Sequence, residues 1–182
     1  FLLHGTLHGR MLLLMFLLLG ALIGITWLMV STLVSSILEE YIGRNALNVS
    51  KAVSLTTVVQ EGLKNKNSAQ IQLYAESVRK ATGARFVVVG DHEGRRFSHP
   101  VPERIGKFMV GGDNPRALEK GEAYVSKAVG TLGPSMRGKV PIFDGSGKVI
   151  GVVSVGYLQE TVESVTEGYL QRVLLWICGL FL

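Results

Sequence analysis

Cysteine is almost missing from this 182-residue chain: the one present, Cys178, sits in an apolar run at the end, so the polar middle has no disulfide. Charge is missing from a second region. No Asp, Glu, Lys or Arg occurs between Met11 and Leu38. That stretch is longer than the roughly 20 apolar residues needed to cross a bilayer, which argues against an ordinary soluble N-terminal segment. No small-x-small cleavage site closes it, so a retained anchor is favoured over a signal peptide. A basic stripe interleaved with stacking aromatics is also missing, so the net charge of +5 does not indicate nucleic acid. Neither a nucleophile elbow nor a cluster of metal ligands is present, and the proximity of Ser98, His99 and Asp91 alone is a weak case for catalysis.

A second apolar run covers Val173 to Leu182, and the polar residues between the two runs suffice for one domain. The expected organisation is a short N-terminal end at 1–10 holding His4 and His8, a first transmembrane helix at 11–34, a sensor-sized domain at 35–168, and the start of a second transmembrane helix at 169–182. Arg10 precedes the first helix while Arg44 and Lys51 follow it, so the positive-inside rule assigns no orientation. Gly20 and Gly24 have the small-xxx-small spacing that lets helices approach closely.

After Ser36 the pattern remains helical, with no firm break before Gly62. Ser68 is the expected N-cap of a helix whose apolar stripe is Ile71, Tyr74, Ala75, Val78 and Ala81, with Gly83 as its C-cap. Phe86-Val87-Val88-Val89 reads as a buried strand, and Gly90 to Gly94 as the turn of a hairpin whose return strand carries Arg96 to Pro100. Strand side chains alternate, so Arg96 and His99 face one pocket only if the chain bends or leaves the strand before Pro100. Asp113 or Asn114 is the expected cap of a short helix beginning at Pro115. Strands are predicted at 122–129, 138–143 and 148–156, the last an apolar run of Val149, Ile150, Val152, Val153 and Val155. The fold class is α+β: a PAS-like domain with a five-stranded antiparallel sheet, helices packed on one face, bracketed by two transmembrane helices.

The most informative stretch is Gly130-Thr131-Leu132-Gly133-Pro134-Ser135-Met136-Arg137-Gly138-Lys139. It is expected to be a loop between strands whose backbone N–H groups and hydroxyls converge on an anion. Arg137 offers a planar fork for a carboxylate, and Lys139 a point charge on the same strand face.

Together with Arg96-Phe97-Ser98-His99-Pro100, Glu103-Arg104-Ile105-Gly106, Gly111-Gly112-Asp113 and the run Gly147 to Tyr157, this stretch resembles the CitA/DcuS family of bacterial sensor histidine kinases. The resemblance covers the whole polar domain in order. It implies an extracytoplasmic PAS domain that binds citrate or a C4-dicarboxylate, with ligand contacts at Arg96, His99, Thr131, Leu132, Arg137, Lys139 and Ser154. Lys139 after Arg137-Gly138 points to the citrate-like branch; Val88 departs from it, since citrate sensors carry a threonine there. The resemblance further implies a multi-pass protein of the bacterial inner membrane, a homodimer, and a response regulator as partner. No cofactor is expected in this stretch, ATP and Mg belonging to a kinase domain elsewhere, and no catalysis is expected within it. The competing readings are the ligand-binding region of a C4-dicarboxylate chemoreceptor and a structural membrane protein without ligand.

Overall fold

A computed structural model describes residues 7–158, 167–172 and 176. The chain divides into two compact units, one of residues 1–37 with 168–182 and one of residues 38–167. The first helix, α1, spans Leu7–Ser54, and among the described residues it is the one helix long and apolar enough to cross a membrane. Its side chains from Leu7 to Met29 are largely exposed, which suits lipid rather than a protein core. The predicted second membrane segment falls mostly outside the described residues; of it, 169–172 and 176 are helical.

Two helical expectations are corrected. Helix does not run on to Gly62 but stops at Ser54 and restarts as α2, Thr57–Lys64. The Thr56 hydroxyl donates to the Val53 carbonyl at 2.8 Å, satisfying a helix-end acceptor at the break. Helix α3 is Ser68–Thr82, but its N-cap is Asn67, whose side chain accepts from Gln70 N–H at 3.2 Å, while Ser68 donates to Phe97 O. Gly83 closes it in the left-handed conformation as expected, at φ 66°.

Among the described residues the sheet has four strands rather than five, in the order β1-β4-β3-β2, all antiparallel. They are β1 (Phe86–Asp91), β2 (Tyr124–Gly130), β3 (Gly133–Phe143) and β4 (Val149–Leu158). The missing strand is the hairpin return at 96–100. Only the isolated bridges Gly90↔Arg96 and Arg95↔Phe108 form there. The expected loop at 130–139 is also mostly strand: Gly130 pairs with Gly133, leaving Thr131-Leu132 as a two-residue hairpin turn. Glycine, proline and serine obscured the strand pattern of β3, which flanking strands on both sides nevertheless stabilise.

Alternation along the strands gives the sheet two unlike faces. Val87, Val89, Ile142, Val153 and Val155 form one, packed against Val53 at the end of α1, Val59 and Leu63 of α2, and Ile71 and Ala75 of α3. Each such burial contributes on the order of 1.5–3 kcal/mol, which makes this face the anchor of the unit. On the opposite face Val152 and Tyr124 pack with Ala117 of the short helix α4, Pro115–Leu118. The helices therefore do not all lie on one face. Gly138 permits the close packing of α1, because a Cβ there would collide with the backbone of Ala46 and Leu47.

Candidate functional site

The second face carries two cross-strand rows of side chains. Register places Val88, Ser154, Lys139 and Tyr124 in one row, and Phe86, Gly156, Arg137 and Ser126 in the next. Gly156 leaves space for the Phe86 ring, whose centroid lies 5.8 Å from Arg137 Cζ, within cation–π range.

The expected bend at 96–99 is present. Phe97 N–H and Ser98 N–H both donate to Val89 O, at 2.7 and 3.3 Å, so two residues oppose one and the alternation is interrupted. Ser98 then turns inward: its hydroxyl accepts from Val89 N–H at 2.8 Å and donates to Val87 O at 3.1 Å. Asp91 accepts from Glu93 and Arg95 N–H groups in the turn. Both residues thus make bonds that shape the backbone, and neither is bonded to His99.

Arg96, His99, Thr131, Leu132, Arg137 and Ser154 line a single cleft together with Phe86, Val88, Met109, Val110, Gly130 and Gly133. Its cavity volume is about 30 Å³, little more than the space of a water molecule, so a ligand would have to open it. Lys139 is not in its lining. It is fully buried on the same sheet face, with Nζ donating to Asp113 Oδ1 at 2.9 Å and to the Asn114 side chain.

Arg96 is only 5% exposed, yet its guanidinium makes no hydrogen bond or ion pair among the described residues. Burial, with the charges of Arg104 and Arg137, pushes its pKa down. His99 Nδ1 accepts from Val101 N–H at 2.9 Å, leaving Nε2–H to donate to Thr131 Oγ1 at 2.9 Å in the neutral ring. Nδ1 is also 3.1 Å from Val101 O, an acceptor ready for the imidazolium. Burial and the Arg96 charge outweigh that acceptor and lower the His99 pKa below its ordinary value.

Arg137, by contrast, has partners within the protein. Its Nε donates to Ser135 Oγ at 2.9 Å, Nη2 to Ala128 O at 3.0 Å, and Nη1 to Asp113 Oδ1 at 3.3 Å. Burial pushes Lys139 down to about 8 against the opposing pull of Asp113. Burial alone would raise the Asp113 carboxyl, but Lys139, the Ser126 hydroxyl and Arg137 together hold it below the ordinary carboxylate range. The sequence pattern offered Asp113 or Asn114 as the helix cap; Asn114 takes that position, with no side-chain cap bond, and Asp113 pairs with the cations. No local signal marks a carboxylate whose partners lie 24 and 26 residues away.

Three arginine and lysine charges against one carboxylate leave the face with two net positive charges when His99 is neutral. Such a face suits a ligand with at least two carboxylates.

Residues 33–171 match the family described as single cache domain 3. The chain is 56% identical over 129 residues to the sensor protein CitS of Halalkalibacterium halodurans, an alignment covering 70% of this chain and 24% of CitS. It is 40% identical over 127 residues to the sensor histidine kinase CitA of Klebsiella pneumoniae, covering 70% and 23%. The chain thus spans about a quarter of the length of these relatives. The crystal structure of the E. coli DcuS sensor domain superposes with a TM-score of 0.67 at 34% identity, covering 70% of this chain and 96% of that one. The shared region is a sensor domain, and the catalytic kinase domain of such proteins is not part of it. The chain belongs to the single cache domain 3 family and is homologous to the sensor domains of the CitS, CitA and DcuS kinases.

Proposed function

We propose that this chain is the membrane-anchored, extracytoplasmic sensor module of a two-component histidine kinase and that its cleft binds a di- or tricarboxylate, citrate foremost. The observation that carries the reading is Arg96, a buried cation with no protein partner among the described residues, facing a small cleft beside His99 and Arg137. The Arg96 guanidinium, open to the cleft and partly stripped of water, lacks a counter-ion that a ligand carboxylate would supply. Arg96 would take one carboxylate by a bidentate contact, and His99, Thr131, Ser154 and the Leu132 backbone would hold further oxygens. Arg137 and Lys139 supply the remaining positive charge. The 56% identity to CitS and the Arg137-Gly138-Lys139 run support the citrate-like branch and a kinase over a chemoreceptor.

Signal would leave through β4, whose Ser154 lines the cleft and whose end at Leu158 leads toward the second apolar run. A ligand that favours one position of that strand shifts the population of the membrane segment attached to it. In this reading α1 crosses the bacterial inner membrane through residues 11–34, the second segment begins at 169–182, and the protein works as a homodimer. The response regulator, ATP and Mg are partners of a kinase domain elsewhere in the protein. Isothermal titration calorimetry against citrate, malate and succinate tests the reading. Micromolar binding of citrate, stronger than of the other two, is the expected result; no heat with any of the three overturns it.

A further inference from the structure

Among the described residues, Asp113 is the one carboxylate bonded to Arg137 and Lys139. Its Oδ1 is shared by Lys139 at 2.9 Å and Arg137 at 3.3 Å, and its Oδ2 accepts from Ser126 Oγ at 2.7 Å. Its backbone carbonyl accepts from the Tyr124 hydroxyl. With Asn114 it encloses Lys139 Nζ, so that lysine, fully buried, is kept out of the cleft that Arg137 lines. The cation pair on β3 is therefore already neutralised in part by the protein itself.

We propose that Asp113 is a tethered carboxylate that competes with the ligand for Arg137 and Lys139, and so sets how many carboxylates a ligand must carry. The proposal rests on the carboxylate-binding reading above and deepens it. Arg96 is open to a first ligand carboxylate at once. At Arg137 Nη1, which donates to Asp113 and at 3.5 Å to Val110 O, a second carboxylate competes with Asp113, and it can reach Lys139 only if Asp113 and Asn114 release the ammonium. The residue is held on the chain, so its effective concentration at these cations is high and independent of ligand. A monocarboxylate, which satisfies Arg96 alone, has no second group with which to displace it. A di- or tricarboxylate does. Displacement also moves the loop at Gly111-Gly112, where both glycines have positive φ, 121° and 68°.

Asp113→Asn removes the competing charge while keeping an oxygen for Lys139 and a polar partner for Ser126. In calorimetry on the full 182-residue chain in detergent micelles, the variant is expected to bind citrate at least about tenfold more tightly than wild type. Acetate, undetectable with wild type, should become measurable. Unchanged or weaker citrate binding, in a variant with a wild-type circular dichroism spectrum, overturns the proposal and makes Asp113 a residue that only orients Arg137 and Lys139. A measurement on the unmutated chain covers a variant that does not fold: carbon NMR of the Asp113 carboxyl, titrated with and without citrate. Release from Lys139 should raise its pKa in the complex, and an unchanged or lower value overturns the proposal. Absence of citrate binding by wild type fails the carboxylate reading itself, and this inference with it, and is distinguished by the wild-type titration run alongside.

Discussion

Ser50 on α1 donates its hydroxyl hydrogen to Gly138 O at 2.8 Å, from the opposite side of the sheet to the residues flanking that glycine, Arg137 and Lys139. The same hydroxyl oxygen accepts from Val155 N–H at 3.2 Å, so one buried side chain joins the helix to both strands that carry the site. Ser50→Ala should destabilise the domain by about 1–3 kcal/mol, because a buried donor and acceptor lose their partner together. Urea denaturation measures it; an unchanged midpoint would show that the strands satisfy those groups without Ser50.

Gly138→Ala should cost more. The added methyl meets the backbone of α1 at Ala46 and Leu47, which cannot move aside like a flexible side chain. Loss of the cooperative thermal transition, or a fall of at least about 10 °C in midpoint, is the expected outcome, a shift matching roughly 2 kcal/mol or more in a domain of this size.

Arg96→Met separates binding from stability. The residue is 5% exposed and its guanidinium, without a partner among the described residues, opens onto the cleft, so an apolar side chain of similar length should leave the unfolding midpoint little changed. Citrate affinity should fall at least about tenfold, equivalent to 1.4 kcal/mol. A marked loss of stability would place Arg96 among the structural cations instead.

His99 gives two pH trends of opposite sense. In the free protein its pKa lies below the ordinary value of 6.5, so the unfolded chain binds more protons as pH falls. Stability from this group is present above about 6.5 and declines on acidification through the lowered folded pKa. A bound carboxylate favours the imidazolium and raises that pKa, so affinity should fall as pH rises from the free pKa to the bound one, and level off beyond it. Calorimetry between pH 5.5 and 8 on wild type and His99→Asn, the variant removing the ligand's own titration by difference, checks this. Parallel profiles for the two proteins would leave His99 a neutral donor.

Val88→Thr should tighten citrate binding. Val88 lines the cleft and pairs in register with Ser154, so a threonine hydroxyl would point into the site as an added donor. A gain of about threefold or more follows if the hydroxyl adds a hydrogen bond near the lower end of 0.5–1.5 kcal/mol. Equal affinities would mean that the ligand does not extend over β1.

The elements with strong local patterns were legible in the sequence. The uncharged run from Met11 to Leu38 dictates an apolar helix because no other structure satisfies its backbone in lipid, and the stripe from Ile71 to Val78 ending at Gly83 dictates α3. The apolar strands β1 and β4 follow from β-branched residues buried on both faces. Arginine, histidine and hydroxyl residues singled out at 96, 99, 131, 137 and 154 do line one cleft, while Lys139, named with them, lies buried beside it.

Tertiary structure decided the rest. Whether 96–100 would pair as a fifth strand depended on Val89 O receiving two N–H groups at once, a competition between segments that no local propensity expresses. That Gly133 to Met136 is strand rather than loop depended on β2 and β4 flanking it on either side. Lys139 reads in sequence like an exposed partner of Arg137, but the sheet buries it and Asp113 encloses it. Composition and spacing determine which charges a chain carries; which of them remain open to a ligand is settled only when distant segments pack and take one another's counter-ions.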